Sequence, residues 1–223
     1  MMTFREASER AVLVEFASPT ESEIQPDRVE RIHRLVALLD RAQLYAIQEL
    51  TPAYNSLLVE YDPIHLSCRD LIEHIRFCAE DVGEVELVTP QKLEIPVFYG
   101  GEFGPDLPWC AERLNMTVSE LVEAHCNQLY RVSFFGFLPG FAYLSGWPAK
   151  WSLPRLDTPR TRVPAGSVAL AGSQAGIYPI DSPGGWRILG RTPMSMIEAG
   201  KVPFARLELG ATIRFYPSSP SAW

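Results

Sequence analysis

The sequence predicts an α+β protein in two parts: an N-terminal ferredoxin-like α/β sandwich over residues 1–90 and a C-terminal β-barrel or sandwich over residues 91–223. Three observations predict it. The first ninety residues alternate strand and helix periodicity in the order βαββαβ, which packs two helices on one side of an antiparallel sheet. Beyond Gln128 no amphipathic helix follows, only short extended runs between Gly/Pro turns, the texture of a closed or sandwiched sheet. Between the two, around Thr89-Pro90-Gln91-Lys92, the composition changes character.

In chain order, Ala11–Phe16 is an apolar strand, and Val29, Ile32, Val36 and Leu39 recur at helical spacing between Asp27 and Asp40. Leu44–Leu50 and Ser56–Tyr61 make two strands around a Thr51-Pro52-Ala53-Tyr54-Asn55 turn. Ser67-Cys68-Arg69-Asp70 has the form of a capping box. It opens a second helix on which Leu71, Ile75, Cys78 and Val82 share a face, and Glu84–Val88 ends the pattern as a strand. His33, His65 and His74 suggest no partners and read as structural or solvated.

The second part opens with extended Glu94–Tyr99. A Gly100-Gly101 turn then leads into a short helix ending near Leu114. Two adjacent glycines either make a plain tight turn or present backbone N–H groups to an anion. Thr117-Val118-Ser119-Glu120 is another capping box, starting a helix that runs to Gln128. His125 falls on its apolar face, where a histidine is either a satisfied core residue or a base held dry. Strands follow at Arg131–Phe137, Val163–Ala171, Gly176–Ile180, Trp186–Gly190 and Ala211–Tyr216. Trp147–Thr161, carrying three prolines, reads as a long ordered loop, and Ser218–Trp223 as a frayed tail.

Glycines, prolines and large aromatics concentrate between Phe134 and Arg191, a texture of loops held in particular shapes rather than of a flexible linker. Charge concentrates there too. Seven cations and two anions between Arg131 and Arg191 give +5 within a chain of −7, leaving −12 elsewhere. Nearly all of these cations are arginine, whose planar fork suits carboxylate and phosphate, so a small anionic ligand is one reading. Internal pairing with the acidic remainder is the other. Candidate contacts lie on or beside neighbouring strands: Gln174 and Tyr178 as polarising or catalytic groups with His125, and Arg160, Arg162, Arg187 and Arg191 as substrate-binding cations. The N–H groups of Gly184 and Gly185 are placed to stabilise a developing oxyanion.

Several classes are excluded. The acidic balance argues against nucleic acid, whose binding rests on a basic face. No run approaches the ~20 apolar residues that span a bilayer, and the charged start Met1-Met2-Thr3-Phe4-Arg5-Glu6 has no apolar signal core, so a cytoplasmic location is expected. Cys68, Cys78, Cys110 and Cys126 form no C-x-x-C pair and lack nearby histidine pairs, so they read as reduced thiols with no metal site. Neither a P-loop nor a G-x-S-x-G elbow occurs. What remains is a pre-shaped basic pocket without a complete catalytic set, as a half-site finished by another polypeptide would be.

Longer motifs give a resemblance. Glu94-Ile95-Pro96-Val97, Tyr99-Gly100-Gly101-Glu102, Gly104-Pro105-Asp106-Leu107, the His125…Tyr130-x-Val132 spacing, and Gly136-Phe137-Leu138-Pro139-Gly140-Phe141-Ala142-Tyr143-Leu144 resemble one family along essentially the whole chain. So do Pro159-Arg160-x-Arg162-Val163-Pro164-Ala165-Gly166-Ser167-Val168, Gly176-Ile177-Tyr178-Pro179 and Ser182-Pro183-Gly184-Gly185-Trp186. The family is that of the 5-oxoprolinase B subunit, or allophanate hydrolase subunit 1. It takes in sporulation kinase inhibitor-like proteins and half of the carboxyltransferase domain of urea carboxylases. The resemblance implies a cyclophilin-like barrel and an ATP-dependent opening of the 5-oxoproline lactam to L-glutamate, with ATP acting at the level of the complex. It further implies a 5-oxoprolinase C subunit supplying a second barrel half and an A subunit completing the enzyme. A carboxyltransferase role and inhibition of a sensor histidine kinase are the alternatives it carries. One departure stands out: where the family has a Pro-Gly-Asp turn before the last strand, this chain has Leu209-Gly210-Ala211.

Overall fold

A computed structural model describes residues 2–16, 26–80, 91–201 and 204–219. They group into two compact units, divided between Thr89 and Pro90.

In the first unit, strands β1 (Thr3–Ser8), β2 (Ala11–Glu15), β3 (Ile47–Pro52) and β4 (Ser56–Tyr61) form an antiparallel sheet in the order β1-β2-β4-β3, with helices α1 (Pro26–Ala42) and α2 (Cys68–Glu80). Val12, Val14, Leu57 and Val59 point from the sheet into a core shared with Ile32, Leu35 and Leu39 of α1 and with Leu71, Ile75 and Cys78 of α2. The expected cap on α2 is present, the Ser67 hydroxyl accepting the Asp70 N–H at 3.2 Å. The sheet adds a strand that periodicity does not announce. Apart from half-buried Phe4, β1 is exposed along its length, so no apolar alternation marks it. It lies beside β2, where the ferredoxin-like pattern puts its fourth strand. The expected strand Glu84–Val88 and the tail from Pro220 lie outside the described residues.

The second unit is built on a closed barrel. Its strands are β5 (Lys92–Tyr99), β6 (Tyr130–Phe135), β7 (Ala142–Ser145), β9 (Ser167–Ala171), β10 (Gln174–Ile177), β12 (Arg187–Arg191) and β13 (Thr212–Pro217), running around it in the order β10-β7-β6-β13-β5-β12-β9. The β13–β5 pair is parallel, and the remaining pairings are antiparallel. Alternate residues fill the interior: Ile95, Val97, Val132, Ala142, Leu144, Val168, Leu170, Ala175, Ile177, Ile213 and Phe215. Helices α3 (Leu107–Arg113) and α4 (Val118–Asn127) add Leu107, Cys110, Ala111 and Leu121 to that cluster. Both halves of the expected box at Thr117 and Glu120 cap α4.

A separate two-stranded ladder pairs β8 (Arg160–Val163) with β11 (Ser182–Gly184). The single strand expected over Val163–Ala171 is therefore two. Pro164 lacks a ladder donor, and Gly166, at φ +82°, turns the chain where a Cβ would overlap the Thr192 carbonyl. Within Trp147–Thr161, a 3-10 turn at Ala149–Trp151 and a bridge between Leu153 and Gly172 order the loop. No helix among the described residues is long and apolar enough to cross a membrane.

Candidate functional site: an aromatic and cationic face outside the barrel

Strand β9 is buried on both sides, which an outer barrel strand achieves only under a second layer. Val168 and Leu170 face the interior, while Ala169 and Ala171, with Ile188 of β12, face outward beneath Phe141, Tyr178, Trp186 and Val163. Small residues let the rings lie on the sheet. A Cβ at Gly176 would come within 2.8 Å of Phe141 and 3.1 Å of Trp186, and one at Gly184 would overlap the Tyr178 hydroxyl. The rings meet edge to face: Phe141–Trp186 at 5.5 Å, Phe141–Tyr178 at 5.3 Å and Tyr143–Trp186 at 5.7 Å. Half-buried Phe134 stacks on Tyr143 at 4.5 Å, so the layer thins into an accessible aromatic shelf. Tyr178 is buried, which pushes its phenol up; a bond from the Trp186 backbone opposes that shift.

Of the residues singled out in the sequence, this face collects Tyr178, Gly184, Gly185, Arg160 and Gln174. Gly184 pairs with Arg160 across β11 and β8, and Gly185 accepts the Leu156 N–H at 2.8 Å. Gln174 is directly opposite Ala171, whose side chain is on the outer face, so it leaves β10 on that side. Arg160 is held: its Nη2 donates to Asp106 Oδ1 at 2.8 Å, while Asp106 Oδ2 accepts the Ile188 N–H at 2.7 Å. Asp106 is nearly buried at the start of α3 and so ties helix, ladder and barrel strand together.

The other arginines are spent elsewhere. Arg162 forms an exposed ion pair with Asp181 at 2.6 Å, and Asp181 also accepts the Ala165 N–H. That backbone bond, then Arg162, hold the Asp181 carboxyl below the usual range. Arg191 donates to the Ala165 carbonyl at 2.7 Å. Arg187 stacks 3.6 Å over Trp109 and donates to the Pro154 carbonyl at 3.0 Å. These three brace loops in the structure.

His125 lies apart from this face. It is completely buried in the barrel core, stacked on Phe215 at 4.7 Å with Tyr130 and Trp147 close by. Its Nδ1 lies 2.7 Å from the Tyr99 hydroxyl, and its Nε2 has no hydrogen-bond partner among the described residues. Burial lowers its pKa to about 3, so the ring stays neutral. It belongs to the core rather than to the face that carries Gln174 and Tyr178.

Three residues of this region are not singled out in sequence as site residues: Asp106, Tyr143 and Arg155. Asp106 and Tyr143 stand inside the longer motifs, but nothing local tells the acid before a short helix, or one aromatic in an aromatic-rich run, apart from its neighbours as a site residue. Arg155 is exposed, with its guanidinium over the Trp186 ring at 5.8 Å. Two apolar clefts lie elsewhere on this unit. One, of about 670 Å³, runs between the Phe135–Gly140 loop and Phe204–Leu209. The other, of about 730 Å³, is lined by Tyr99, Leu107, Val118 and Cys126. The second also takes in the Gly100-Gly101 turn, and neither contains a residue named above as catalytic or substrate-binding. Among the described residues, no group of three His, Cys, Asp or Glu side chains is arranged to hold a metal ion.

Residues 2–207 match the family model described as carboxyltransferase domain, subdomain C and D, and the chain belongs to that family. Within it, the chain is 36% identical over 198 residues to the 5-oxoprolinase B subunit of Bacillus subtilis (strain 168), covering 82% of this chain and 81% of that protein. It is also 36% identical over 211 residues to the 5-oxoprolinase B subunit of Escherichia coli O157:H7, covering 94% and 93%. Among solved structures, it superposes on TTHA0988 with a TM-score of 0.80 at 33% identity. That match covers 94% of this chain but only 40% of the longer TTHA0988 chain. The K. lactis urea amidolyase shares the fold, at a TM-score of 0.79 and 20% identity over 99% of this chain and 15% of that one.

Proposed function

We propose that this chain works as the B subunit of a 5-oxoprolinase, opening the 5-oxoproline lactam to L-glutamate at the expense of ATP, together with the A and C subunits. The observation that carries this reading is the pair of 5-oxoprolinase B subunits matched at 36% identity over more than four fifths of each chain. A lactam carbonyl is a poor electrophile because the ring nitrogen donates into it. Transfer of the ATP γ-phosphoryl group to the carbonyl oxygen, with release of ADP, turns the amide into an imidate whose carbon carries a good leaving group and is open to attack by water. One water then adds to that carbon, the C–N bond breaks as the nitrogen takes a proton, and a second water cleaves the resulting acyl phosphate to glutamate and phosphate. With no P-loop in the sequence, the ATP site falls to the assembled complex rather than to this chain. The carboxyltransferase alternative has weaker support: the urea amidolyase of Lachancea kluyveri is 24% identical, and the match covers 12% of its length.

In this reading residues 1–90 and 91–223 are separate domains. The outer face of the barrel, with Gln174, Tyr178, Arg160 and the Gly184-Gly185 backbone, contributes one wall of a site that a second polypeptide closes. Four free thiols without a disulfide suit a cytoplasmic setting. Reconstitution tests the proposal. The purified chain alone should show no ATP-dependent release of glutamate from 5-oxoproline, and co-expression with the A and C subunits should restore it. Turnover by the isolated chain, or none from the assembled set, would refute it.

A further inference from the structure

We propose that Arg155 is the carboxylate-binding residue of the outer barrel face, holding the acid group of a small ring-shaped substrate against the Trp186 and Tyr143 rings. This assignment rests on the reading above and names the part of the site that recognises the ligand.

The first support is elimination. Of the arginines in the basic stretch, Arg160 and Arg162 are committed to carboxylates, Arg187 and Arg191 to backbone carbonyls, and Arg131 has partners of its own. The Arg155 guanidinium has no hydrogen bond or ion pair among the described residues. Lys150 likewise lacks a carboxylate but lies over Trp151, away from the aromatic layer. The second support is preorganisation. The backbone is pinned on both sides of Arg155: Leu153 bridges Gly172, the Pro154 and Arg155 carbonyls accept from Arg187, and the Leu156 N–H donates to Gly185. A surface loop fastened at every residue from 153 to 156 projects one unpaired fork, where a floppy loop would leave its cation to solvent. The third is the company it keeps. Its guanidinium lies 5.8 Å from the Trp186 ring centroid, over the layer rather than beyond it, and its charge opposes the rise that burial gives the Tyr143 and Tyr178 phenols. The Phe134–Tyr143 stack offers an apolar shelf for ring carbons, and Gln174, two residues from Gly176, which pairs with Tyr143, offers an amide on the same face. A planar fork beside flat rings is chemically matched to a flat ring bearing a carboxylate.

Titration of the ¹⁵N-labelled full chain tests this without requiring turnover, following the Trp Nε1–H and Arg Nε–H resonances. 5-Oxoproline should move the Trp186 and Arg155 signals, whereas 2-pyrrolidinone, the same ring without its carboxylate, and inorganic phosphate should not. Arg155→Ala should weaken 5-oxoproline binding at least about tenfold, the scale of one charge-assisted bond, and Arg155→Lys should recover part of it. The proposal is overturned if Arg155→Ala binds as the parent chain does, if 2-pyrrolidinone or phosphate moves the same signals equally, or if 5-oxoproline moves none. A carboxylate response in the chain, with no ring opening by the assembled complex, would sink the oxoprolinase reading and leave this site standing.

Discussion

A neutral histidine inside a barrel has a consequence for stability. His125 has its pKa lowered to about 3 by burial, against 6.5 in an open chain. Between those values the unfolded chain binds a proton that the folded chain refuses. Stability from this group is therefore complete above pH 6.5 and falls, by up to ~1.4 kcal/mol per pH unit, as pH drops toward 3. Urea melts of the parent chain and of His125→Phe between pH 7.5 and 5 should show the steeper loss in the parent; equal slopes would mean the ring is not held neutral. Asp106 makes a second case. Asp106→Ala strands both the Arg160 guanidinium and the Ile188 N–H, which should cost about 3 kcal/mol, while Asp106→Asn keeps one acceptor and should lose less. Denaturant midpoints check the ranking, and equal losses would contradict the two-armed role. Neither outcome was legible in sequence. Periodicity places His125 on an apolar face but is silent on whether a pocket opens there, and arginine counting cannot see that Asp106 lies 54 positions from the side chain it neutralises.

At the scale of elements, most of what was legible came from local signals. The caps at Ser67 and Thr117, the helical faces of α1 and α2, and the Gly/Pro punctuation of the barrel all show because each depends on residues within a turn of one another. Strand β1 stayed hidden because an exposed edge needs no apolar alternation, and β7 and β11 because three or four residues amid glycines carry too little pattern. Two neighbouring glycines separate the kinds of constraint a turn imposes. Gly101, at φ +54° with open space around it, should accept alanine for about 1 kcal/mol. At Gly104 a Cβ would drive into the Leu189 carbonyl, so Gly104→Ala should prevent folding or push α3 off β12. Thermal melts of the pair distinguish the two, and comparable melting temperatures would contradict the contact. Closure of the barrel makes a sharper demand. Strand β13 pairs with β5 over six residues and with β6 on its other side, so deletion from Thr212 onward should abolish the barrel unit's cooperative transition.

For the whole molecule, every barrel strand lies between Lys92 and Pro217, inside one unit. A fragment of residues 91–223 should therefore fold alone with a cooperative melt, and an unstructured fragment would contradict the division into domains. The family and the α+β class were readable from long motifs and periodicity. Which arginine stays unspent was not, because that depends on contacts among loops far apart in sequence. The central claim is that the outer aromatic face is one rigid wall of a site that a second polypeptide closes. Amide hydrogen exchange of this chain, alone and with its partner chains bound, tests it most directly. The account predicts slower exchange in Leu153–Arg160 and in the Ser182–Arg187 segment on assembly, while the barrel interior stays unchanged. Unaltered exchange in both segments, with protection appearing only elsewhere, would contradict it.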